Sequence, residues 1–471
     1  MQKLNEPSQA VKDMQGDWTK IDALCGGTEA MRASGELYLP RFKAESPENY
    51  AYRLKTSTLF NALEHTIENL ASKPFAEPIK YEGFGSTAEA WMDNIDLSER
   101  NLHVFASEVL IAGLKYGLTH VLVDFDRTDS VKTLADERAM GVRPYAVHVL
   151  PTSILGWKSK KIGGVERLTQ LRIRESVTED DGLFGTQVIT QVRVLEIGRW
   201  STYRKNDKDD WVLNDSGEVL LKKDVPLDFI PLVTYYTKRT GFMTAAPPLR
   251  NLADLNIEHW QSYSDQTAIL HISRVPILAR IGVVDQGDTA TPVSIGAGSL
   301  VELPANAELK FVEHSGKAIG AGRDSIKDIE ERMRFLGAEL LIPTVGDVTA
   351  TQAALDSSSQ ECQLSAMAQG LENALDKVVH AMQKWAGLDE AGNIDVFDDF
   401  VVSSITGQTE SVLLDAAKSG LISKETFFNE MVRRSAINPD LSWDVESKRL
   451  PKSPLPPDLA PTNINITDSQ P

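Results

Sequence analysis

The stretch from Pro247 to Leu388 constrains this chain more than any other. Leu249, Leu252, Trp260, Tyr263, Thr267 and Leu270 recur mostly at steps of three or four. That is one apolar stripe of a helix, ended by Pro276. A second stripe follows at Ile326, Ile329, Met333, Leu336 and Leu340, stopped by Ile342-Pro343. A third begins after Thr349-Ala-Thr-Gln352, where a hydroxyl and an amide three apart suit the orphan amides of a helix start. It carries Leu364, Met367, Leu371, Leu375, Val378, Met382 and Trp385 to Gly387. Unbroken, that third helix would run roughly 55 Å. Between the first two lies an excursion broken by Gly and Pro, with short apolar runs at Pro276–Arg280 and Leu309–Val312. Long helices around so small an excursion imply a spine and not a pocket.

The rest of the chain is read around that spine. Residues 1–110 keep helical spacing, as at Trp18, Ile21, Leu24 and Cys25 and again at Leu59, Leu63, Ile67 and Leu70. From Thr119 the period shifts to two, with strands expected at Thr119–Asp124, Pro144–Leu150, Leu168–Arg174, Val188–Ile197 and Pro231–Tyr236. Trp211–Leu213 and Val219–Leu221 flank Asn214-Asp-Ser-Gly217, a pattern that predicts a hairpin turn. The fold class is therefore α+β, with helices first and a mostly antiparallel sheet after them. Beyond Gly387 an acidic connector leads to helices expected at Glu410–Lys418 and Ser423–Arg434. The segment from Pro451 to Pro471 is rich in Pro and polar residues, a composition that predicts disorder.

Charge and composition narrow the function. Forty-nine basic against 67 acidic residues leave a net charge of −18, which argues against a general nucleic-acid coat. The two cysteines, Cys25 and Cys362, offer neither a disulfide framework nor zinc-ligand spacing. The polar N-terminus lacks an apolar signal core and no apolar run approaches a membrane span, so neither secretion nor a membrane is expected. The eight histidines contain no H-E-x-x-H pattern, so no metal is expected.

Three motifs invite a chemical reading. Asp124-Phe-Asp126-Arg-Thr128, at the end of an apolar strand, has the D-x-D-x-T form of haloacid-dehalogenase-type phosphotransferases. There one Asp attacks and the other serves as acid and base beside Mg²⁺. Gly316-Lys-Ala-Ile-Gly320-Ala-Gly322 lacks the order of a phosphate-cradling loop and is read as a flexible lead into a helix. Lys317, Arg323, Lys327, Arg332 and Arg334 concentrate positive charge on an acidic chain. They are either a solvated face paired with Asp324, Asp328, Glu330 and Glu331 or a set of weak phosphate contacts.

In this order the elements resemble the portal proteins of tailed bacteriophages, in particular a portal-like branch known only as a domain of unknown function. The phrases that carry the resemblance run from Trp18, Ile21, Gly26, Met31-Arg32, Tyr38-Leu39-Pro40 and Tyr50 with Arg53 to Val149–Trp157. They continue through Ala246–Leu255 and Phe335–Pro343 to Lys418–Thr426. The resemblance implies a wing over residues 1–245, a first stem helix at 246–275, a clip at 276–315 and a second stem helix at 316–341. It further implies a tunnel loop at 342–351, a long wing helix at 352–388, a helical crown at 389–450 and a disordered tail at 451–471.

Such proteins form rings, usually of twelve subunits, at one capsid vertex, through which double-stranded DNA is packaged and ejected. The resemblance implies a virion location, assembly in the bacterial host cytoplasm, no catalysis and no cofactor. The implied partners are sister copies, weakly and non-specifically bound DNA, the packaging terminase, a head–tail connector, and capsid and scaffolding proteins. Candidates for the DNA channel are the five basic residues above with Thr344, Val345, Asp347 and Thr349; candidates for clip docking are Arg280, Asp285 and Asp288. The tunnel loop departs from the pattern, being short and without Lys or Arg, which argues against a tight DNA clamp. The stem stripes are expected to be buried against sister copies, leaving little stable stem in an isolated monomer. The phosphotransferase and another ring-forming virion connector remain the alternatives.

Overall fold

The computed structural model describes residues 4–125, 142–220, 225–273, 277–281, 308–312, 317–338, 340, 362–398 and 400, with parts of 414–449. The chain divides into two compact units, residues 1–346 with 361–398 and residues 347–360 with 399–471. Helix and sheet are mixed, as an α+β chain requires.

The first unit begins with α1 (Gln9–Cys25) and α2 (Gly27–Ser34), followed by α3 (Pro47–Thr56), α4 (Ala62–Ser72) and a single-turn α5 (Ser86–Glu89). Trp18 of α1 is buried, donates from Nε1 to the Tyr116 carbonyl at 3.0 Å and meets the Tyr116 ring edge-on. Tyr116 closes α6 (Leu102–Tyr116), whose start is capped by Asn101 and whose end is Gly117 in the left-handed conformation. A Cβ at Gly117 would lie 2.4 Å from the Ala246 carbonyl oxygen, so this stop requires glycine. The helix starts only at Leu102, because Leu97 and Glu99 take positive φ and Asn101 supplies the cap.

Strand β2 (Leu118–Asp124) follows at once and is buried at six consecutive positions. It runs antiparallel between β3 (Tyr145–Val149) and β9 (Leu232–Tyr236) in a three-stranded sheet. Both faces are covered, which explains why its sequence is a nearly unbroken apolar run. Leu118 and Leu122 join a core with Trp18, Ile154, Leu171 and Leu195. On the other side Tyr235 of β9 fills the notch at Gly113 of α6, and its hydroxyl donates to the Met367 carbonyl at 3.0 Å.

A second, five-stranded sheet is an antiparallel meander of β4 (Ile154–Ile162), β5 (Val165–Asp181), β6 (Gly185–Glu196), β7 (Arg199–Lys205) and β8 (Trp211–Glu218). The hairpin expected at Asn214–Gly217 is not there; those residues lie inside β8. The turn is instead Asn206–Asp210, where the Asn206 side-chain oxygen accepts from the amides of Lys208 and Asp210. Gly217 is a strand glycine that admits the Trp200 indole, whose Nε1 would lie 2.9 Å from any Cβ there.

After two short strands, β10 (Arg239–Gly241) and β11 (Thr244–Ala245), comes the spine. Helix α7 (Arg250–Ser273) leads to β12 (Ile277–Ile281), which pairs antiparallel with β13 (Glu308–Val312) before α8 (Lys317–Ala338) returns. Helix α9 (Gln363–Ala386) then packs on β9 and β2. The start expected at Thr349–Gln352 lies outside the described residues, but Cys362 has extended backbone and caps α9. The helix is thus 24 residues, about 36 Å and not 55 Å. The acidic connector beyond it contains a strand that periodicity missed, β14 (Asn393–Asp395), paired with β1 (Lys80–Glu82).

In the second unit, α10 (Lys424–Arg433) is capped by Ser423, and α11 (Trp443–Arg449) ends just before the expected crown boundary at 450. Phe428 packs on Trp443 with ring centroids 5.5 Å apart. Most of the helix expected at 410–418, the whole tunnel loop at 342–351 and the tail at 451–471 lie outside the described residues.

Candidate functional site

Helices α7 and α8 lie side by side and antiparallel. Asn251 and Leu255 of α7 share a groove with Phe335 and Leu336, His259 meets Glu330 at 3.4 Å, and Gln266 reaches the Ile319 carbonyl at 2.9 Å. Rising numbers on one helix meet falling numbers on the other. Close approach at the last of these contacts depends on Gly322, where a Cβ would lie 2.2 Å from Gln266 Oε1. Residues 317–322 are therefore the first turns of α8 and not a flexible lead, with Gln266 filling the space where a Cβ at Gly322 would lie.

The apolar stripes are buried within the subunit. Leu249, just before α7, and Leu252, Leu255 and Trp260 of α7 are buried, as are Ile326, Ile329 and Met333 of α8. For these residues the expectation that sister copies cover the stripe is corrected, since each helix packs them on the other and on the N-terminal helices; Thr267, Leu270 and Leu336 of the same stripes are half-buried and Tyr263 is exposed. α3 grips α7 directly through Ser57, whose hydroxyl donates to Ser264 at 2.7 Å, and through Arg53, 3.4 Å from Asp265. At the other end Arg250 pairs with Asp17 at 3.3 Å, and Asp254 pairs with Lys20. What remains exposed on the pair is Tyr263, Ile269 and above all Phe335, 64% exposed.

The basic residues do not form one track. At 100° per residue, Arg323, Lys327 and Arg334 fall within about 40° of one another, whereas Arg332 points the opposite way. Asp324, Asp328, Glu331 and Phe335 occupy the arc between them. Arg323 has its neighbour Asp324 at 3.8 Å, an exposed pair that contributes little to stability. Lys317 opens α8, and Arg280 stands on β12 opposite Leu309. Thr344, Val345, Asp347, Thr349, Asp285 and Asp288 lie outside the described residues.

Asp124 stands at the end of β2 and accepts from Arg193 Nη1 at 2.8 Å, with Glu175 3.6 Å from the same guanidinium. The Coulomb field of Asp124 offsets the cost of burial and raises the Arg193 pKa. Both neighbours of β2 are antiparallel, so the parallel βαβ order of the phosphotransferase motif is not present around Asp124. Asp126 lies outside the described residues. Asp124 is an ion-pair partner between two sheets. Among the described residues no group of three or more His, Cys, Asp and Glu is placed to hold a metal ion.

Residues 248–386, from the end of β11 through α9, match the family model described as Domain of unknown function (DUF4055). No curated protein sequence matches the chain. Solved structures with some likeness include a chain from the virion of a native gene transfer agent particle. It is 12% identical, with 79% of this chain and 88% of that one covered and a TM-score of 0.39. Another is from the neck of the empty particle computed with C6 symmetry, at 11% identity, coverage of 79% and 88%, and a TM-score of 0.37. A third, from the neck of the native particle computed with C12 symmetry, is 10% identical, with coverage of 84% and 97% and a TM-score of 0.38. Scores at this level do not establish a shared fold.

Proposed function

We propose that this chain is a portal-type virion protein, one of twelve copies in a ring whose α7–α8 pairs wall a channel for double-stranded DNA. The observation that carries this reading is the element order across residues 250–386. A 24-residue helix leads to an antiparallel two-stranded ladder, a 22-residue helix returns alongside, and a further 24-residue helix packs back on the α+β body. That is the succession expected of stem, clip, stem and wing. A helix pair stiffened by its own buried stripe suits a strut that must hold shape beside a moving polymer.

The electrostatics fit passage better than capture. Copies of net charge −18 repel a polyanion, and Arg323, Lys327 and Arg334 on one flank supply a few salt-sensitive phosphate contacts. In this reading the β12–β13 end docks the packaging terminase and later the head–tail connector, while capsid and scaffolding proteins surround the body. The protein does no chemistry itself, and ATP hydrolysis belongs to the motor.

The test is made in the virus that encodes the chain. Particles lacking it are expected to contain no packaged DNA, while Asp124→Asn leaves the yield of filled heads within about twofold of wild type, since the Asn amide oxygen still accepts from Arg193 and Glu175 stays 3.6 Å from the same guanidinium. Filled heads in the absence of the chain would overturn the proposal. Loss of filling in Asp124→Asn together with a phosphatase activity that needs Asp124 would favour the enzyme.

A further inference from the structure

We infer that the outer half of the β5–β6 hairpin is an arm that seats in a groove at the opposite end of the same hairpin in a second copy of this chain. The ladder between β5 and β6 runs as far as Asp181 opposite Gly185. Support from other strands ends well before that: β4 pairs with β5 only up to Ile173, and β7 pairs with β6 only from Gln191 onward. Residues 176–181 and 185–190 therefore project as a bare two-stranded ribbon of about 20 Å. Such a ribbon is marginal in water unless something covers it. Its tip presents Leu183 and Phe184, 86% and 95% exposed, with Val188 just behind. Asp180 and Asp181 immediately precede the tip on β5 and have no basic partner among the described residues, whereas Glu179 pairs with Arg204 at 2.7 Å.

A groove of matching character lies at the base of the hairpin, beside Leu168 and Ile197. Its floor is apolar, made by Phe229, Leu232, Tyr236 and Phe242, and its rim is cationic, with Arg167, Arg239, Lys377 and Lys384. Lys384 pairs with Asp228 at 3.5 Å and sits over the Phe229 ring. Arg167, Arg239 and Lys377 have no carboxylate partner among the described residues. An apolar tip preceded by carboxylates thus meets an apolar floor whose rim carries four cations and Asp228, a complementarity of charge on a chain that is acidic overall.

Geometry decides that the occupant comes from another molecule. Thirteen residues of one strand separate Leu168 from Asp181, about 44 Å, so the tip cannot reach its own groove. Donor and acceptor at opposite ends of one element make the contact head-to-tail, the kind that closes into a ring when the rotation allows. The inference concerns how copies meet and does not depend on what passes through the assembly.

Sedimentation velocity of the full chain tests it with charge reversals at exposed positions that the fold does not need. Asp180→Lys/Asp181→Lys on the arm and Arg239→Glu/Lys377→Glu on the groove are each expected to weaken self-association by about tenfold or more. Both pairs combined in one chain restore it to within about threefold of wild type, because the charges are complementary again. Leu183→Ser/Phe184→Ser weakens it with no rescue by either reversal. Single reversals that associate like wild type, or a combined variant no better than either parent, overturn the inference while leaving the channel proposal standing. A wild-type chain that stays monomeric, or one that instead floats with phosphatidylcholine–phosphatidylglycerol vesicles through Phe184, also overturns it.

Discussion

Arg53→Met is expected to destabilise the first unit by about 3 kcal/mol, seen as a lower urea midpoint with an unchanged slope. Arg53 is only 5% exposed and grips Glu45 with two hydrogen bonds of 2.8 Å. It also donates to the Pro40 carbonyl at 2.9 Å and lies over the Phe42 ring. Its donated hydrogen bond holds Glu45 below the ordinary carboxylate range. Methionine fills much of the volume but leaves Glu45 charged and without its fork, and it also drops the link to Asp265 on α7. Most of the loss comes from the stranded carboxylate, not from the pair's net strength. Adding Glu45→Leu should therefore recover a large part of it. A single variant as stable as wild type would show that Arg53 does not tie the N-terminal helices to the spine.

Mild acid should destabilise the same unit through two buried histidines. His120 and His148 sit on adjacent strands of the central sheet, hydrogen-bonded to Thr234 at 3.0 Å and to Thr119 at 2.9 Å. Burial lowers His120 to about 3, with His148 adding to the effect. Burial also lowers His148 to about 4, helped by Arg100. Both are neutral in the fold and take up protons near 6.5 once unfolded. The stability they contribute is complete above that value and is lost as pH falls from 6.5 toward 4 and then 3. Each loses up to about 1.4 kcal/mol per pH unit, so the pair loses roughly 3 kcal/mol between pH 6.5 and 5. His259, lowered by burial on α7, acts in the same direction. Urea unfolding at pH 7.5, 6.5 and 5 reads the slope, and His148→Gln should remove up to about half of it. A flat profile across this window would mean the histidines are hydrated in the native state.

How much of this was legible beforehand depended on the range of the interaction. Local periodicity located α7, α8, the buried β2 and the two short strands between the stem helices, because each pattern is written within one element. It failed where a neighbour decides. Asn214–Gly217 has turn composition, but Trp200 needs a glycine opposite it and Asn206 supplies the turn. Gly322 looks like part of a flexible lead until Gln266 of α7 is laid against it. β14 is three residues long and exists only because β1, more than 300 residues earlier, offers an edge. The stripes at Trp260 and Met333 show that something covers them and not what, so sister copies and the chain's own helices could not be separated by spacing. The basic residues of α8 were visible as a composition, but their division between two faces follows from their phase. Arg53 enters only through the portal resemblance, beside Tyr50; nothing in Asn-Tyr-Ala-Tyr-Arg53 itself announces a buried guanidinium.

Electron microscopy of the purified full chain in negative stain bears most directly on whether the α7–α8 pairs form a wall around a hole. End-on views are expected to show closed rings of uniform size with a stain-filled centre. Solid particles with no central opening, at every protein concentration tried, would contradict the account.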